Sequence, residues 1–448
     1  MAYRSLWVGV LLALALRLSS CGGNTTETTI TGGGLSGGLT GPVVTIDSPS
    51  GPNTTEIVVD TGPASGFALG AANIPYVSVT VCAPGSASAC VTIDHVFLDT
   101  GSIGLRVFAS TVASVALPAL TLSADAASST PAGPAAECYP FVLGAVWGPI
   151  VRADVRIGGE LAPSLPIQII DDANPPTLAA PSDCVAAANG GLLDSPQHMQ
   201  ANGILGVGMI AYDCGLACLS GDYSGGHTLY YSCPNGACVP AAVPAAAQMQ
   251  NPISSFVPGA DGVANNNGSV VVLPAIPDLG ASLVKGRLVF GIGTQTNNQI
   301  PLSAKIYPVD PNPASATYLY LGTSVDAKTF SSSYIDSGSN GLFFDDPAIA
   351  MACRSSSGSS GGWYCPINVV RKAATIVGYD GSLGTVDLAI ANADVLFSGG
   401  NVGFANLGGS AGQGVDTFVW GLPFFYGRSV FTSIWGQALA ANGPWNAF

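Results

Sequence analysis

The chain has 448 residues, of which 48% are hydrophobic and only 9% are charged, and its formal net charge is −14 at pH 7. With 13 Lys and Arg residues in total, no basic patch is available to neutralise phosphates, so a nucleic acid is excluded as a partner. The length suits two lobes, and 58 Gly and 32 Pro residues indicate short strands and frequent turns, hence a mostly β fold.

The first 21 residues have the organisation of an export signal. A weakly positive start precedes an apolar stretch, residues 6–16, that is too short to span a membrane. Residues 18–21 (LSSC) resemble the bacterial lipobox, in which the cysteine is lipid-modified after cleavage. We therefore predict that residues 1–21 are a lipoprotein signal peptide and that Cys21 is the lipid anchor, in the outer membrane or the periplasm. A plain secretory signal with an incidental cysteine is the alternative.

Composition divides the rest of the chain into a linker and two lobes. Residues 22–70 are rich in Gly, Thr and Ser and predict a flexible linker. We predict an N-terminal β lobe over residues 71–250, with a cysteine-rich insertion at 212–240, and a C-terminal β lobe over residues 251–448. Strands are predicted at residues 76–81, 91–98, 139–144, 151–159, 165–170, 253–257, 269–273, 286–291, 306–309 and 317–321, with a hairpin turning at the Gly-Pro pair between the third and fourth.

The eleven cysteines predict disulfides in an oxidising compartment, because an even number remains when Cys21 is set aside. Cys82–Cys90 and Cys353–Cys365 are spaced as local staples, and Cys138 could pair with Cys184. The remaining four cysteines allow three pairings, or a zinc site with His227 nearby, although the exported location favours disulfides. These four cysteines are Cys214, Cys218, Cys233 and Cys238. We predict no metal and no cofactor.

One short motif occurs twice, at residues 96–105 (VFLDTGSIGL) and 333–342 (SYIDSGSNGL). Each copy has an apolar run, an Asp, a hydroxyl residue, Gly, Ser, a second Gly and Leu. The run predicts a buried strand and the first Gly a tight turn, so the carboxylate should stand at a strand end. One copy alone is explained by an ordinary turn. Two copies predict a pair of carboxylates, Asp99 and Asp336, suited to general acid–base chemistry.

The order of these motifs resembles that of the pepsin-like aspartic peptidases. In that family each lobe has such an Asp loop, followed later by two apolar residues and a Gly that pack beneath it. Here residues 204–206 (ILG) follow Asp99, and residues 419–421 (VWG) follow Asp336. The sequence also resembles a bacterial family of exported proteins that carry the double motif and have no assigned function. The resemblance implies a bilobal β fold with a central cleft.

The resemblance also implies a role for each residue of the two loops. Asp99 and Asp336 would share one proton and hold the attacking water between them. Thr100 and Ser337 would cross-link the two loops, and an acidic pH optimum would follow. The supporting positions of the catalytic loops are Thr100, Gly101, Ser102, Ser337, Gly338 and Ser339, of which the serines at 102 and 339 would hydrogen-bond the outer carboxylate oxygens.

Two positions depart from the family pattern. The family closes a hairpin, the flap, over its substrate by means of a Tyr, and here Tyr139 is the nearest candidate and Phe141 its competitor. Arg106 stands where the family usually has a Trp. For His95, His198 and His227 we expect structural roles, because none lies near a Ser or Cys nucleophile motif.

These observations lead to one prediction and one alternative. We predict an aspartic endopeptidase on the bacterial cell envelope, with an extended polypeptide substrate in a cleft between the lobes. We expect a monomer that meets the membrane only through its lipid anchor. The alternative is a catalytically silent binding or structural lipoprotein on the same scaffold.

Overall fold

A computed structural model describes most of the chain beyond the signal region. The predicted signal peptide, Cys21 and His227 lie outside the described residues. Among the residues that the structure does describe, no helix is long and apolar enough to cross a membrane. The described residues are 43–45, 51–63, 72–126, 128–188, 191–219, 228–351, 353, 362–412, 415–437 and 443–448.

Strands dominate the described part of the chain, and its helices are short. The strands are β1 (Val43–Thr45), β2 (Thr54–Val59), β3 (Pro75–Cys82), β4 (Cys90–Asp99), β5 (Ile103–Phe108), β6 (Thr121–Leu122), β7 (Gly133–Phe141), β8 (Gly144–Ile157), β9 (Glu160–Ile170), β10 (Gly203–Val207), β11 (Tyr230–Ser232), β12 (Val239–Pro240), β13 (Gly268–Leu273), β14 (Leu283–Phe290), β15 (Ile306–Pro308), β16 (Leu321–Val325), β17 (Lys328–Ile335), β18 (Leu342–Phe343), β19 (Val370–Val377), β20 (Leu383–Ile390), β21 (Gly408–Gly409), β22 (Thr417–Trp420), β23 (Arg428–Ser433) and β24 (Trp445–Ala447). The α-helices are α1 (Ala109–Val112), α2 (Ser182–Ala187), α3 (Pro196–Met199), α4 (Ala393–Phe397) and α5 (Leu422–Phe425), and 3₁₀ turns lie at Gly215–Leu219, Pro234–Gly236, Ala245–Ala247, Ile253–Ser255 and Thr296–Asn298.

The strands form two sheets. One connects 17 strands, β1–β15 with β23 and β24, and the other has seven in the order β20-β19-β16-β17-β22-β18-β21. A single large hydrophobic cluster takes residues from both, among them Leu98 and Leu205 from the first and Ile335 and Trp420 from the second. The predicted mostly β, bilobal architecture is confirmed.

The same three-strand arrangement occurs once in each sheet. In the first sheet β10 pairs in parallel with β4 and antiparallel with β5. In the second sheet β22 pairs in parallel with β17 and antiparallel with β18. Each middle strand therefore separates the strand that leads into an Asp loop from the strand that leaves it. This places residues 204–206 and 419–420 beside the two loops, as the sequence predicted.

Two boundaries predicted from composition are wrong. The linker prediction for residues 22–70 fails at β2, which pairs antiparallel with both β14 and β3, so that Ile57 and Val59 are fully buried. The division at residue 250 does not separate the sheets either. Strands β13, β14 and β23 follow that point in the sequence, yet they join the first sheet through β2. Both boundaries fail because β2 pairs with β14, which lies more than 200 residues later in the chain.

The predicted hairpin turns at a different place. Strands β7 and β8 pair directly with Phe141 opposite Gly144, so the loop has two residues, Val142 and Leu143, and β8 continues through Gly148. A Cβ on Gly148 would overlap the Ile169 carbonyl oxygen of β9, so this glycine serves close strand packing and not a turn. Likewise the strand predicted at residues 253–257 is a 3₁₀ turn, Ile253–Ser255.

The cysteine-rich insertion extends the β7–β8 hairpin. Its strand β11 pairs antiparallel with β7, with Tyr230 opposite Glu137, and with β12 on its other edge. The ten cysteines of the described residues form five disulfides, including the two local pairs predicted from spacing and the possible pair Cys138–Cys184. A zinc site on the four insertion cysteines is therefore wrong. Five disulfides indicate an extracellular or periplasmic protein. The pairs are Cys82–Cys90, Cys138–Cys184, Cys214–Cys218, Cys233–Cys238 and Cys353–Cys365.

Candidate active site

The first Asp loop joins β4 to β5 and begins with Asp99. The Gly101 N–H donates to Asp99 Oδ1 at 2.8 Å, and the Ser102 hydroxyl donates to Asp99 Oδ2. Gly206 of β10 pairs with Asp99, and a Cβ there would lie 2.6 Å from the Ile103 nitrogen. Glycine therefore allows the strands to approach this closely. The carboxylate stands on a tight loop supported by buried backbone, as the sequence predicted.

The second Asp loop, between β17 and β18, repeats these contacts. The Gly338 N–H donates to Asp336 Oδ1 at 2.7 Å, and the Ser339 hydroxyl donates to Asp336 Oδ2 at 2.7 Å. The Asp336 N–H in turn donates to the Trp420 carbonyl of β22 at 3.0 Å. Both carboxylates therefore have the same two donors, one from the backbone and one from a serine hydroxyl.

Two hydroxyl residues cross-link the loops. The Thr100 N–H donates to Ser337 Oγ at 3.1 Å, and the Ser337 N–H donates to Thr100 Oγ1 at 2.9 Å. The Ser337 hydroxyl also donates to the Leu98 carbonyl at 2.9 Å. Since each hydroxyl accepts from the backbone of the opposite loop, the two loops cannot slide past each other without losing both bonds.

The two carboxyl groups face each other in hydrogen-bond contact. A Cβ on Gly101 would lie 2.8 Å from Asp336 Cγ, and a Cβ on Gly338 would lie 2.8 Å from Asp99 Cγ. The glycine of each loop therefore makes room for the acid of the other loop. The structure brings together all eight residues that the sequence assigned to the two loops.

Burial sets the electrostatics of this pair. Asp99 and Asp336 are only 2% and 3% exposed. Burial raises the pKa of Asp336 well above its usual range, and the charge of Asp99 and the hydrogen bond to it raise it further, whereas the donors Ser339 and Gly338 lower it in part. Two carboxylates this close cannot both ionise easily, so the pair retains a proton at pH values where an exposed Asp is charged.

The β7–β8 hairpin carries the predicted flap residue. Tyr139 is buried, and burial is the main cause that raises its pKa. The Phe141 ring lies 5.0 Å from the Tyr139 ring, centroid to centroid. At the tip, Val142 packs against the apolar cluster around Tyr139 and also against a second cluster that contains Trp363. The hairpin therefore reaches from the first sheet to residues of the second.

A buried charge cluster behind the hairpin was missed by the sequence analysis. The Arg106 guanidinium contacts Glu137 at 2.8 Å and Asp213 at 3.7 Å, and the side chains of all three are fully buried. The Tyr230 hydroxyl donates to the Asp213 carboxyl at 2.8 Å. Arg106 was recognised only as a departure from the family pattern. The available signal was a Glu in an otherwise apolar strand, two residues before Tyr139.

The protonation of Asp213 predicts a pH dependence of stability. Burial raises the pKa of Asp213 well above its usual range, and the charge of Glu137 and the hydrogen bond to it raise it further, while Arg106 lowers it in part. Between the unfolded pKa near 3.8 and the raised folded value, the folded protein holds a proton that the unfolded chain releases. The bound proton therefore adds to the free energy of unfolding. The added stability is fully present below the unfolded pKa of Asp213 and is lost as the pH rises through its folded pKa.

We therefore expect Asp213→Asn to flatten the decline of the melting temperature between pH 4 and pH 7. The amide keeps a donor toward Glu137 but cannot ionise, so this position no longer contributes to the loss of stability as the pH rises. The measurement is calorimetric melting at unit pH intervals, and the matched control is Asp278→Asn at an exposed position, which should follow the wild-type slope. A variant slope equal to that of the wild type would contradict the protonated state of Asp213.

Other polar residues considered from the sequence lie away from the Asp loops. His95 contacts Asp60 at 3.2 Å, and His198 contacts Asp194 at 2.9 Å. Among the described residues, one group of three possible metal ligands occurs, Cys353, Cys365 and Asp394, but its two cysteines are joined in a disulfide. Their sulfurs are therefore unavailable as thiolate ligands.

A cavity of about 490 Å³ opens elsewhere on the second sheet. Its lining contains Arg371, Lys372, Asp387 and Arg428 but neither acid of the pair. Lys372 already contacts two carboxylates there, with Asp346 at 2.7 Å. The cavity reaches Leu342, at the end of the second Asp motif, but the paired acids do not line it.

Comparisons with known proteins add the following findings. A family profile described as "Protein of unknown function (DUF3443)" matches residues 49–448. Among solved structures, the aspartic proteinase from Irpex lacteus is similar to this chain with a TM-score of 0.42 and 14% sequence identity, over 88% of this chain and 96% of that chain. A search of curated proteins found no match.

Proposed function

The chain belongs to the DUF3443 family of proteins of unknown function, and we propose that it is an aspartic-type endopeptidase in which Asp99 and Asp336 activate a water molecule. The observation that carries the proposal is the reciprocal pair of hydrogen bonds between Thr100 and Ser337. Those bonds hold two acids from distant parts of the chain face to face, with matched donors on their outer oxygens. Burial in a low-dielectric site strengthens this arrangement.

The chemistry requires one ionised and one protonated carboxyl group. The two acids share one proton, and in the step written here it lies on Asp336 at the start. Asp99 accepts a proton from the water as the water oxygen bonds to the peptide carbonyl carbon, and Asp336 donates its proton to the carbonyl oxygen. Collapse of the resulting tetrahedral diol, with proton transfer to the amide nitrogen, breaks the C–N bond. Water is consumed and two peptide termini are released.

The proposal also covers the substrate, the location and the partners of the enzyme. The substrate is a polypeptide lying extended between the two sheets, and the β7–β8 hairpin closes over it with Tyr139 as the flap residue. The enzyme is exported and held on the cell envelope through Cys21, acts as a monomer, and takes neither a metal nor nucleic acid. The five disulfides support an oxidising location.

A peptide-cleavage assay at acidic to neutral pH tests this function. The unfolded substrate protein is incubated with enzyme between pH 3 and pH 7, with and without a statine-type peptide that mimics the tetrahedral diol. We expect an acidic optimum, because activity is lost when the pair releases its shared proton at higher pH and when it takes up a second proton at low pH. Cleavage should stop with the statine peptide. Peak activity above neutral pH would contradict the shared-proton mechanism.

One observation favours a second candidate, a binding protein without catalysis. Both acids are almost completely buried, and the hairpin tip already rests on residues of both apolar clusters. A scaffold that only binds a partner has no need to open this region. If the wild type cleaves nothing at any pH while still binding a polypeptide, the binding function replaces the enzymatic one.

A further inference from the structure

Arg106 is attached to the first Asp loop. It lies on β5, which leaves that loop, and its Nη1 donates to the Ile103 carbonyl at 2.6 Å. Ile103 directly follows Ser102, which holds the outer oxygen of Asp99. A shift of the guanidinium therefore acts on the backbone that supports Asp99. Arg106 is fully buried, so its position is fixed entirely by protein partners.

Two acids from different segments hold the other side of the guanidinium. Nη2 and Nε of Arg106 donate to the two carboxylate oxygens of Glu137 at 2.8 and 3.2 Å. This two-point contact fixes orientation as well as distance. Glu137 lies on β7 of the hairpin, and its main-chain carbonyl accepts from Gln168 at 2.7 Å. Asp213 of the cysteine-rich insertion is the second acid, 3.7 Å from Nη2.

The charges of this cluster balance when one acid is protonated. Asp213 is in hydrogen-bond contact with Glu137, and it also accepts from the Tyr230 hydroxyl at 2.8 Å. The Tyr230 hydroxyl accepts from the Met249 N–H at 2.7 Å. A proton on Asp213 leaves one cation facing one anion in a fully buried site, which is the condition for a buried ion pair to be tolerated. The insertion thus supplies Asp213, the second acid of the cluster.

The free face of the guanidinium lies against Tyr139. Its Cζ is 3.8 Å from the centroid of the Tyr139 ring, a cation–π distance. Tyr139 lies on β7, two residues after Glu137, so the guanidinium contacts two side chains of the hairpin. Arg106 therefore contacts three structures at once: the Asp99 loop through Ile103, the hairpin through Glu137 and Tyr139, and the insertion through Asp213.

We propose that Arg106 is a positioning residue that fixes Tyr139 and the base of the β7–β8 hairpin relative to the Asp99 loop, and that Asp213 of the cysteine-rich insertion holds the guanidinium in this position. The proposal rests on the proposed endopeptidase function for its kinetic consequences but not for its structural ones. Strand β11 also fixes the base of the hairpin through backbone pairing, since Tyr230 pairs with Glu137 along the edge of β7. The disulfide Cys138–Cys184 anchors the same strand. Motion on substrate entry is then confined to the hairpin tip.

The structural test measures hydrogen exchange in the full-length protein. Arg106→Lys keeps the charge but loses the planar contact with Glu137 and Tyr139, and the double variant Arg106→Met/Glu137→Gln removes the ion pair without leaving a buried charge. We expect amide exchange in residues 139–146 to accelerate at least tenfold in both variants, while the β19–β20 hairpin keeps its wild-type rate. Unchanged exchange at 139–146 in both folded variants would overturn the proposal, whether or not the protein cleaves peptides.

The kinetic test separates positioning from general damage. If Arg106 acts through Tyr139, Arg106→Lys should lower kcat about 100-fold and change KM less than threefold, because a small misplacement near the reacting atoms affects chemistry more than binding. In a Tyr139→Leu background the same change should cause no further loss of kcat. An equal loss in both backgrounds would overturn the proposal. If wild-type protein shows no cleavage, the endopeptidase function fails and the exchange result alone decides the role of Arg106.

Discussion

Asp99→Asn and Asp336→Asn should each lower kcat/KM for peptide cleavage by about 10⁴-fold. The amide fits the space of the carboxyl group but can neither accept the proton of the water nor donate one to the carbonyl oxygen at the required moment. Both side chains already receive a backbone N–H and a serine hydroxyl, and both are buried, so the variants should fold. The measurement is steady-state cleavage of an unfolded protein at acidic pH.

The double variant makes this prediction sharper. Because the two acids work as one proton-sharing unit, Asp99→Asn combined with Asp336→Asn should be no less active than either single variant. Asp278→Asn, at an exposed position, is the control and should retain wild-type activity. Cleavage that persists in either single variant would remove the pair from the mechanism, and a further large loss in the double variant would mean that the acids act separately.

Local sequence was sufficient to find the paired acids and their supports. The Asp loops are specified within ten residues each, since the Asp, the hydroxyl residue, Gly and Ser supply the carboxylate, the cross-link, the space and the outer donor. Residues 204–206 were also placed correctly, but through the resemblance to the pepsin-like peptidases, because an apolar pair followed by Gly alone indicates only a buried strand. The contacts within each loop are therefore specified locally, although the cross-link between the loops joins residues 237 positions apart.

Features that depend on distant partners were not predictable in this way. The sequence of strand β2 resembles a linker because β2 is stabilised by pairing with β14, about 230 residues later. The composition of residues 22–70 does not indicate that pairing. The charge cluster has the same origin. Arg106, Glu137 and Asp213 come from three separate segments, and each alone is a polar residue in an apolar setting with no pattern to join them. Gly148 was assigned to a turn because strand packing and turns both select glycine.

The glycine beneath the second Asp loop is a place where stability and the active site depend on the same atoms. Gly421 directly follows β22, and a Cβ there would overlap the carbonyl oxygens of Ser339 and Gly341. Both oxygens belong to main chain immediately after Asp336, and the Ser339 carbonyl also accepts from the Leu422 N–H at 2.7 Å. The clash cannot be relieved by rotating a side chain, so the loop itself must move.

We therefore expect Gly421→Ala to lower the free energy of unfolding by about 3 kcal/mol, and to lower kcat/KM at temperatures where the variant is still folded. Urea unfolding and the cleavage assay measure the two effects. The control is Gly399→Ala, where an added Cβ would meet its nearest atoms at 3.8 Å, an ordinary contact. If both substitutions leave stability equally unchanged, the close packing beneath Asp336 is not what holds the loop. If Gly421→Ala reduces stability but not activity, the loop adjusts without moving the carboxyl group, and the hydrogen bonds between Thr100 and Ser337 are enough to keep the acids aligned.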